Sequence, residues 1–430
     1  MSQDRPHHPP ARSDVMLLPA GVAPDARLLL IGRALRAFTD GFVAILLPVY
    51  LLALGLGQWE VGLISTATLL GSALATLAVG QWGYRFPQRR LLLATAWLMA
   101  ATGLLLAGLG GIGDLWPLLL IAFVGTMNPS SGDVSVFLPL EHARLAEAAQ
   151  GEALTFLFAR YTFVGVLCAA VGALATAIPQ LLTHAGMAQL DALRVMFVAY
   201  GFTGVVIFFL YRALPDHTMD EHTAAAAPLG PSRGIVVRLA ALFSVDAFAG
   251  GLIVNTLLAL WLFTRFDLSL AAAGQFFFWA GLLSAGSQLA APWVARRIGL
   301  VNTMVFTHIP SSICLILAAF ADSLPVTLAL LFLRSALSQM DVPTRSAFVM
   351  AVVTPAERAA AASFTAVPRS LAAAASPAIG GALFAAGWLA APLVACGALK
   401  IAYDLALWRA FRRYEVDSRE NAHAQGHGAS

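Results

Sequence analysis

Charge is scarce in this sequence: Asp, Glu, Lys and Arg make up 11% of its 430 residues, while 59% are hydrophobic. A soluble domain keeps roughly a quarter of its residues charged so that water can solvate its surface. The deficit excludes a chain of two or three soluble domains. Lysine is nearly missing, with Lys400 as its one instance. The nucleotide loop G-x-x-x-x-G-K-[ST] needs a lysine after its glycines. No such loop is present, so energy for any work must come from a gradient. Cysteine is sparse as well: Cys168, Cys314 and Cys396 are odd in number, far apart and set in apolar runs. They form no C-x-x-C pair or disulfide framework and read as small buried apolar side chains. A soft-metal thiolate site is the lesser alternative. No H-E-x-x-H or nucleophile motif lies in an apolar run, which argues against a membrane-embedded enzyme. The basic residues form no single polar face, which excludes nucleic acid as a partner. The apolar run Val15–Leu18 is too short for a signal peptide.

What the chain does have is apolar length, with a mean hydropathy of +0.78. A helix needs about 20 apolar residues to cross a bilayer. Stretches of that kind lie near 28–54, 58–81, 91–110, 115–137, 153–178 and 192–212, then 235–262, 269–294, 300–320, 325–348, 359–386 and 388–411. Continuous apolarity without alternation predicts helices, not a barrel. The fold class is therefore an all-α membrane protein of 12 transmembrane helices in two six-helix bundles. The bundles span 28–212 and 235–412, with a disordered cytoplasmic arm at 1–27, a cytoplasmic central loop at 213–234 and a cytoplasmic tail at 413–430. Arginines concentrate between spans 2 and 3, around the central break, between spans 8 and 9, and after span 12. The positive-inside rule then puts both termini in the cytoplasm.

The halves repeat. Gly62 and Gly274 stand 212 residues apart, as do Arg85 and Arg297, while Asp40 and Asp246 stand 206 apart. Six crossings per half make the repeat parallel, with its axis along the membrane normal. Segment 80–90, GQWGYRFPQRR, resembles the loop between spans 2 and 3 of the major facilitator superfamily (MFS). Gly80, Arg85, Arg89 and Arg90 match that pattern; Tyr84 replaces its usual acid and Pro87 its usual glycine. The second copy keeps Arg296, Arg297 and Gly299, again without the acid. SPAIGG at 376–381 resembles the end of the family's antiporter motif, displaced from span 5 to span 11. Leu330-x-x-x-Arg334 resembles its intramembrane arginine motif, displaced from span 4 to span 10. The resemblance implies a bacterial inner-membrane (plasma-membrane) transporter, monomeric, with no cofactor. It also implies gating roles for Gly80, Arg85, Arg89, Arg90, Arg296, Arg297, Pro377, Gly380 and Gly381. The missing acids put the usual carboxylate latch in question.

Ionisable groups at membrane depth cost at least about 2.5–3.5 kcal/mol unless paired or hydrated. Asp40 and Asp246 fall near mid-membrane and are the candidates for coupling to protons. Arg36, one turn before Asp40, is placed to pair with it, and Lys400 with Asp404. Arg160, Arg334 and Arg369 have no acid one turn away. They either pair across helices with Asp40, Asp246, Asp133 or Asp341, or hold an anionic substrate. Asn255, Gln288 and Gln339 complete the candidate substrate set, with interhelical bonding as their other reading. Asn128-Pro129 and Val367-Pro368 predict helix breaks. The chain thus reads as a secondary transporter working by alternating access. Its partners would be a small-molecule substrate, protons and the lipid bilayer. The primary expectation is proton-coupled efflux of a drug-like amphiphile. The alternatives are transport of an organic or inorganic anion held by buried arginines, and a membrane receptor that binds solute without moving it.

Overall fold

A computed structural model describes residues 22–23, 25–108, 114–130, 135–149, 151–215, 229–354 and 357–427. Most of the arm, most of the central loop and Asp133 lie outside these residues. The described residues are almost wholly helical. In hydrocarbon every backbone N–H and C=O must be satisfied within its own segment, which only a helix or a closed barrel achieves.

The first half comprises α1 (Asp25–Ala53), α2 (Gln58–Trp82), α3 (Gln88–Gly108), α4 (Leu115–Val124), α5 (Phe137–Ala148), α6 (Gly151–Leu174), α7 (Ile178–His184) and α8 (Gln189–Arg212). The second comprises α9 (Arg233–Gly251), α10 (Asn255–Phe266), α11 (Leu270–Ile298), α12 (Leu300–Phe320), α13 (Leu324–Ser338), α14 (Asp341–Val352), α15 (Arg358–Ala375), α16 (Pro377–Ala385) and α17 (Ala391–His427). Among the described residues, nine segments are long and apolar enough to cross alone. The interrupted pairs α4/α5, α13/α14 and α15/α16 complete twelve crossings. An even count returns the chain to the face on which it began, called here the terminal face; the other is the far face. Turns between spans are tight. At Gly299 a single residue reverses the chain between α11 and α12 at φ 95°, a conformation that favours glycine.

Span 4 is interrupted where Asn128-Pro129 predicts a break, and it runs on past 137: α4 stops at Val124, Thr126–Pro129 is non-helical, and α5 restarts at Phe137. Pro129 lacks an N–H and disfavours helical geometry at Asn128, so the helix cannot propagate through the pair. Span 7, read as continuous, breaks at 252–254, directly after Gly250 and Gly251. Span 11 runs through Pro368 unbroken and divides instead at Ser376–Pro377. The segment after span 12 continues α17 as helix to His427.

Candidate functional site

The two bundles meet on the far half of the molecule. Thr176 Oγ1 of span 5 donates to Leu270 O of span 8 at 2.9 Å. Ala378 N of span 11 donates to Thr66 Oγ1 of span 2 at 2.9 Å, and Gln58 reaches Thr264 at 3.4 Å. Glycines allow these approaches. A Cβ on Gly62 would stand 2.5 Å from Pro377 O and 2.9 Å from Gly381 Cα. A Cβ on its repeat partner Gly274 would stand 2.5 Å from Ala173 O. Spans 2 with 11 and 8 with 5 thus form the same crossing twice, as the 212-residue offset implies. On the terminal half of these helices Phe156, Phe163, Leu289, Trp293, Phe364 and Leu371 stay exposed. Among the described residues, the side-chain hydrogen bonds that join the bundles lie at mid-depth and on the far half.

At the centre the breaks of spans 4 and 7 face each other. Thr256, just past the span 7 break, donates its N–H to Pro129 O at 3.2 Å and its hydroxyl to Ala44 O at 2.9 Å. The carbonyl freed beside the proline is thereby satisfied by the other bundle. Asn128 Oδ1 caps its own turn, accepting from Ser130 N and Oγ. Asn255 opens α10 at the same level, partly buried.

A polar core fills each bundle between this level and the terminal face. In the second, Asp246 (span 7) accepts from Lys400 Nζ (span 12) at 2.6 Å and from Arg345 Nη2 (span 10) at 3.1 Å. Arg345 also pairs with Asp341 one turn before it. His308 (span 9) places Nδ1 3.0 Å from Asp404 Oδ2. Its Nε2 is 3.4 Å from Lys400 Nζ and 3.9 Å from Asp246 Oδ1. Asp246 is therefore a counter-ion between two cations, not an isolated carboxyl. Lys400 serves Asp246 across the bundle, not Asp404 on its own helix as the spacing suggested, and Asp404 takes His308. The residues that sequence reasoning missed here are His308 and Arg345, along with the Asp341–Arg345 link.

In the first bundle Arg36 does not serve Asp40. Its Nη2 pairs with Glu141 Oε2 (span 4) at 2.7 Å and its Nη1 donates to Ser135 Oγ at 2.5 Å. Glu141, fully buried, also accepts from Tyr211 at 2.6 Å and from Tyr161. Asp40 is buried nearby on α1. The first bundle thus joins its first and fourth spans through Arg36 and Glu141, and the second joins them through Asp246 and Arg345. The device is the same with the signs exchanged.

Arg160 and Arg369 lie on spans 5 and 11, the helices that the repeat relates. Arg160 is half-buried, stacks 4.4 Å from the Phe156 ring centroid, and leaves Nη1 without a partner among the described residues. Arg369 is exposed at its surface yet lies within electrostatic range of Arg345, Asp246 and Tyr403. A guanidinium exposed at this depth costs at least about 2.5–3.5 kcal/mol against lipid, which favours hydrated surroundings on this helix of the bundle interface. Arg334 lies against Cys396, away from this pair. Gln288 and Gln339 bridge spans 8 and 10 at 3.4 Å.

The candidate gating residues divide into two groups. Pro377 and Gly381 make the span 2–span 11 crossing, and a Cβ on Gly380 would meet Leu252 O of span 7. At the terminal face Arg89 donates to Leu214 O at 3.1 Å, tying the span 2–3 turn to the end of span 6. Arg90 and Arg296 are exposed, and Arg297 stacks 3.8 Å from the Trp293 ring centroid. Arg85 closes the short turn after α2, also exposed. A Cβ on Gly80 would meet nothing within 4 Å, so no close packing requires glycine there. Also at this face, Glu357 accepts from Gly230 N, from Ser232 N at 3.3 Å and from Thr354 Oγ1 at 2.8 Å. Hydrogen bonds from Ser232, Thr354 and Gly230 hold its carboxyl down at about 2. A groove of about 630 Å³ on the far face, lined by Trp261, Arg265, Phe320, Asp322 and Trp388, is remote from all of these charges.

A family model described as Major Facilitator Superfamily matches residues 29–335. An uncharacterized membrane protein of Saccharomyces cerevisiae, YJR124C, is 25% identical over 420 residues, covering 89% of this chain and 93% of its own. Among solved structures, the inward-open xylose transporter XylE from E. coli superposes with a TM-score of 0.68 at 15% identity, over 89% of this chain and 96% of that one. The nucleoside transporter NupG gives 0.67 at 14%, over 90% and 100%. The human organic anion transporter MFSD10 gives 0.62 at 18%, over 89% and 99%.

Proposed function

The chain belongs to the Major Facilitator Superfamily and is a secondary transporter, not an enzyme; on that premise we propose that its cargo is a small organic anion bound between the bundles by Arg160 and Arg369. The observation that carries this reading is the placement of the two arginines. One stands on each bundle, on the repeat-related spans 5 and 11, and both keep solvent contact at a depth where charge is costly. Guanidinium grips carboxylate or phosphate with paired, charge-assisted hydrogen bonds. Two arginines on opposite walls hold an anion in a way neither bundle does alone, which is what alternating access requires of a central site. The likeness to an organic anion transporter agrees with this, although at 18% identity it speaks to fold.

The cycle exchanges the present arrangement, joined on the far half, for one parted there. Pro377, Gly381 and Gly62 act as the far seal, and the arginine clusters of 85–90 and 296–297 lie where the terminal seal would form. Both termini face the cytoplasm, as arginine placement requires, and the transporter works as a monomer. Coupling uses protons through the Asp246 cluster, with Asp40 in a supporting position. A second reading, proton-coupled efflux of a drug-like amphiphile, draws on SPAIGG, whose Gly380 and Gly381 build the tight crossings of span 11.

Reconstituted protein tests the choice. Counterflow of aromatic carboxylates, neutral isosteres and cations should be measured side by side. Anion-only counterflow, lost in Arg160→Ala and Arg369→Ala, is the expected result. Each lost charge-assisted contact is worth about 1.5–3 kcal/mol, or roughly 10- to 150-fold in affinity. Cation counterflow that survives both substitutions would favour the efflux reading.

A further inference from the structure

Three carboxylates and three cations share the interior of the second bundle. Asp246, Asp341 and Asp404 stand against Arg345, Lys400 and Arg369, with His308 among them. Arg334, further along span 10, faces Cys396. Donors are in surplus. Nε and Nη1 of Arg345 and the hydroxyl of Tyr403 have no hydrogen-bond partner among the described residues. Arg345 is only 7% exposed and Tyr403 2%. Unmet donors at such burial are strongly unfavourable. Both side chains pack against Phe243: the Arg345 guanidinium carbon is 5.2 Å and the Tyr403 ring 6.4 Å from its centroid. Arg369, on the cavity wall, lies within electrostatic range of both.

We propose that this spot receives the oxyanion group of the cargo, on the guanidiniums of Arg345 and Arg369 and the hydroxyl of Tyr403, and that each anion enters with one proton carried by His308. The proposal rests on the anion reading above and adds residues and stoichiometry to it. Its first part follows from the surplus donors, which are those an oxyanion accepts from. Its second part follows from charge. The cluster is balanced with His308 neutral, and adding one negative charge to a balanced, poorly solvated site is opposed unless a positive charge joins it.

His308 is the group placed to take that charge. Its Nδ1 lies against Asp404, so Nδ1 carries the hydrogen in the neutral ring, a tautomer inferred from the network. The Nε2 lone pair then points to the Lys400 ammonium, 3.4 Å away. A proton delivered by cavity water adds to this lone pair. Lys400 turns aside, and the new N–H donates to Asp246 Oδ1, now 3.9 Å away. The anion meanwhile takes the Arg345 donors. No bond other than this N–H forms or breaks, and the proton returns to water when the anion leaves on the other side. Histidine is the side chain that ordinarily changes charge between pH 5 and 8. Anion and proton therefore move together, with no net charge carried.

Calorimetric titration of the purified full chain with benzoate and benzenesulfonate tests both parts. Repeating it in two buffers of different ionisation enthalpy reads the protons taken up per anion. The expected result is binding with about one proton per anion in the wild type. His308→Gln should bind more weakly and with no proton uptake. Tyr403→Phe should bind at least about tenfold more weakly with the proton count unchanged. If neither anion binds, the anion reading fails and this proposal with it. Binding without proton uptake in the wild type, or uptake unchanged in His308→Gln, overturns the coupling and leaves the anion reading intact. Unchanged affinity in Tyr403→Phe overturns the placement of the oxyanion. Should His308→Gln fail to fold, the wild type in proteoliposomes still decides. Flux driven by a pH gradient and indifferent to a clamped membrane potential is expected, and dependence on potential overturns the coupling.

Discussion

The buried pair of Arg36 and Glu141 gives a sharp energetic test of how the first bundle is held. Arg36 is 1% exposed and Glu141 0%. Their 2.7 Å contact is supported by Tyr211, Tyr161 and Ser135. Removing one partner of such a pair leaves an uncompensated buried charge and costs about 3–5 kcal/mol, whereas removing both is often close to neutral. Glu141→Gln keeps the shape and still accepts from Tyr211 but strands the guanidinium, so the upper part of that range applies. Arg36→Met strands the carboxylate, which keeps two tyrosine donors, so the lower part applies. The double variant carries no buried charge; the Gln oxygen still accepts from Tyr211, and its NH2 donates to the Tyr161 hydroxyl. Its expected cost is about 1–2 kcal/mol, from the bond Ser135 loses and from packing. The coupling energy in the cycle should therefore be at least about 2 kcal/mol. Denaturant titration of the four proteins in the same detergent measures it. Counterflow should persist in the double variant, because neither side chain touches cargo. Additive effects, with the double variant as costly as the sum of the singles, would refute the reasoning.

Further outcomes follow from other parts of the structure. Gly62→Val puts side-chain carbon where Pro377 O and Gly381 Cα now lie; the far seal should open, and a cysteine at Gln58 should label several-fold faster from that side. Thr256→Val removes the hydroxyl's bonds to Ala44 O and Pro129 O while keeping the N–H bond to Pro129 O, and should cost about 1 kcal/mol in thermal stability. Glu357 has a depressed carboxyl, at about 2 against an ordinary 4.5, so its stabilisation is present above pH 4.5 and is lost as pH falls toward 2. Hydrogen exchange at Gly230 and Ser232, corrected for intrinsic rates, should rise across that window in the wild type and be pH-independent in Glu357→Gln.

The spans were legible because apolar length is a one-dimensional signal, and α12 matches its expected bounds of 300–320. That Asp40 and Asp246 fall inside the first helix of each half was legible for the same reason. Pairing was not. Spacing along one helix offered Arg36 for Asp40 and Lys400 for Asp404, but partner choice inside a bundle depends on how neighbouring helices rotate. Both cations turned to acids on other spans. Glu141 and Arg345 were hidden by the breaks. Each belongs to a helix that restarts after an interruption: Glu141 lay beyond the expected end of span 4 at 137, and Arg345, near the expected end of span 10 at 348, read as a flank of the break that follows. His308 carries no formal charge at neutral pH, so it left the hydropathy of span 9 undisturbed. Its role emerged only from its distances to Asp404, Lys400 and Asp246.

The exchange of sign between the halves bears on where transport is driven. Arg36 with Glu141 and Asp246 with Arg345 join equivalent spans, so the repeat preserved the tie and not its polarity. In the first bundle the acid is the hub: Glu141 collects Arg36 and two tyrosines, and its oxygens are taken up by donors that never leave the bundle. In the second the hub is also an acid, Asp246, but its partner Arg345 keeps donors to spare and sits beside Tyr403 and the cavity-facing Arg369. A carboxylate that gathers only donors of its own bundle holds its helices together. A hub with surplus donors can exchange an internal acid for an external one, and the helices that carry those donors, spans 10, 11 and 12, then feel the cargo directly. Symmetry of fold thus supplies two bundles that can rock, while asymmetry of charge makes the second the one that responds to what is bound.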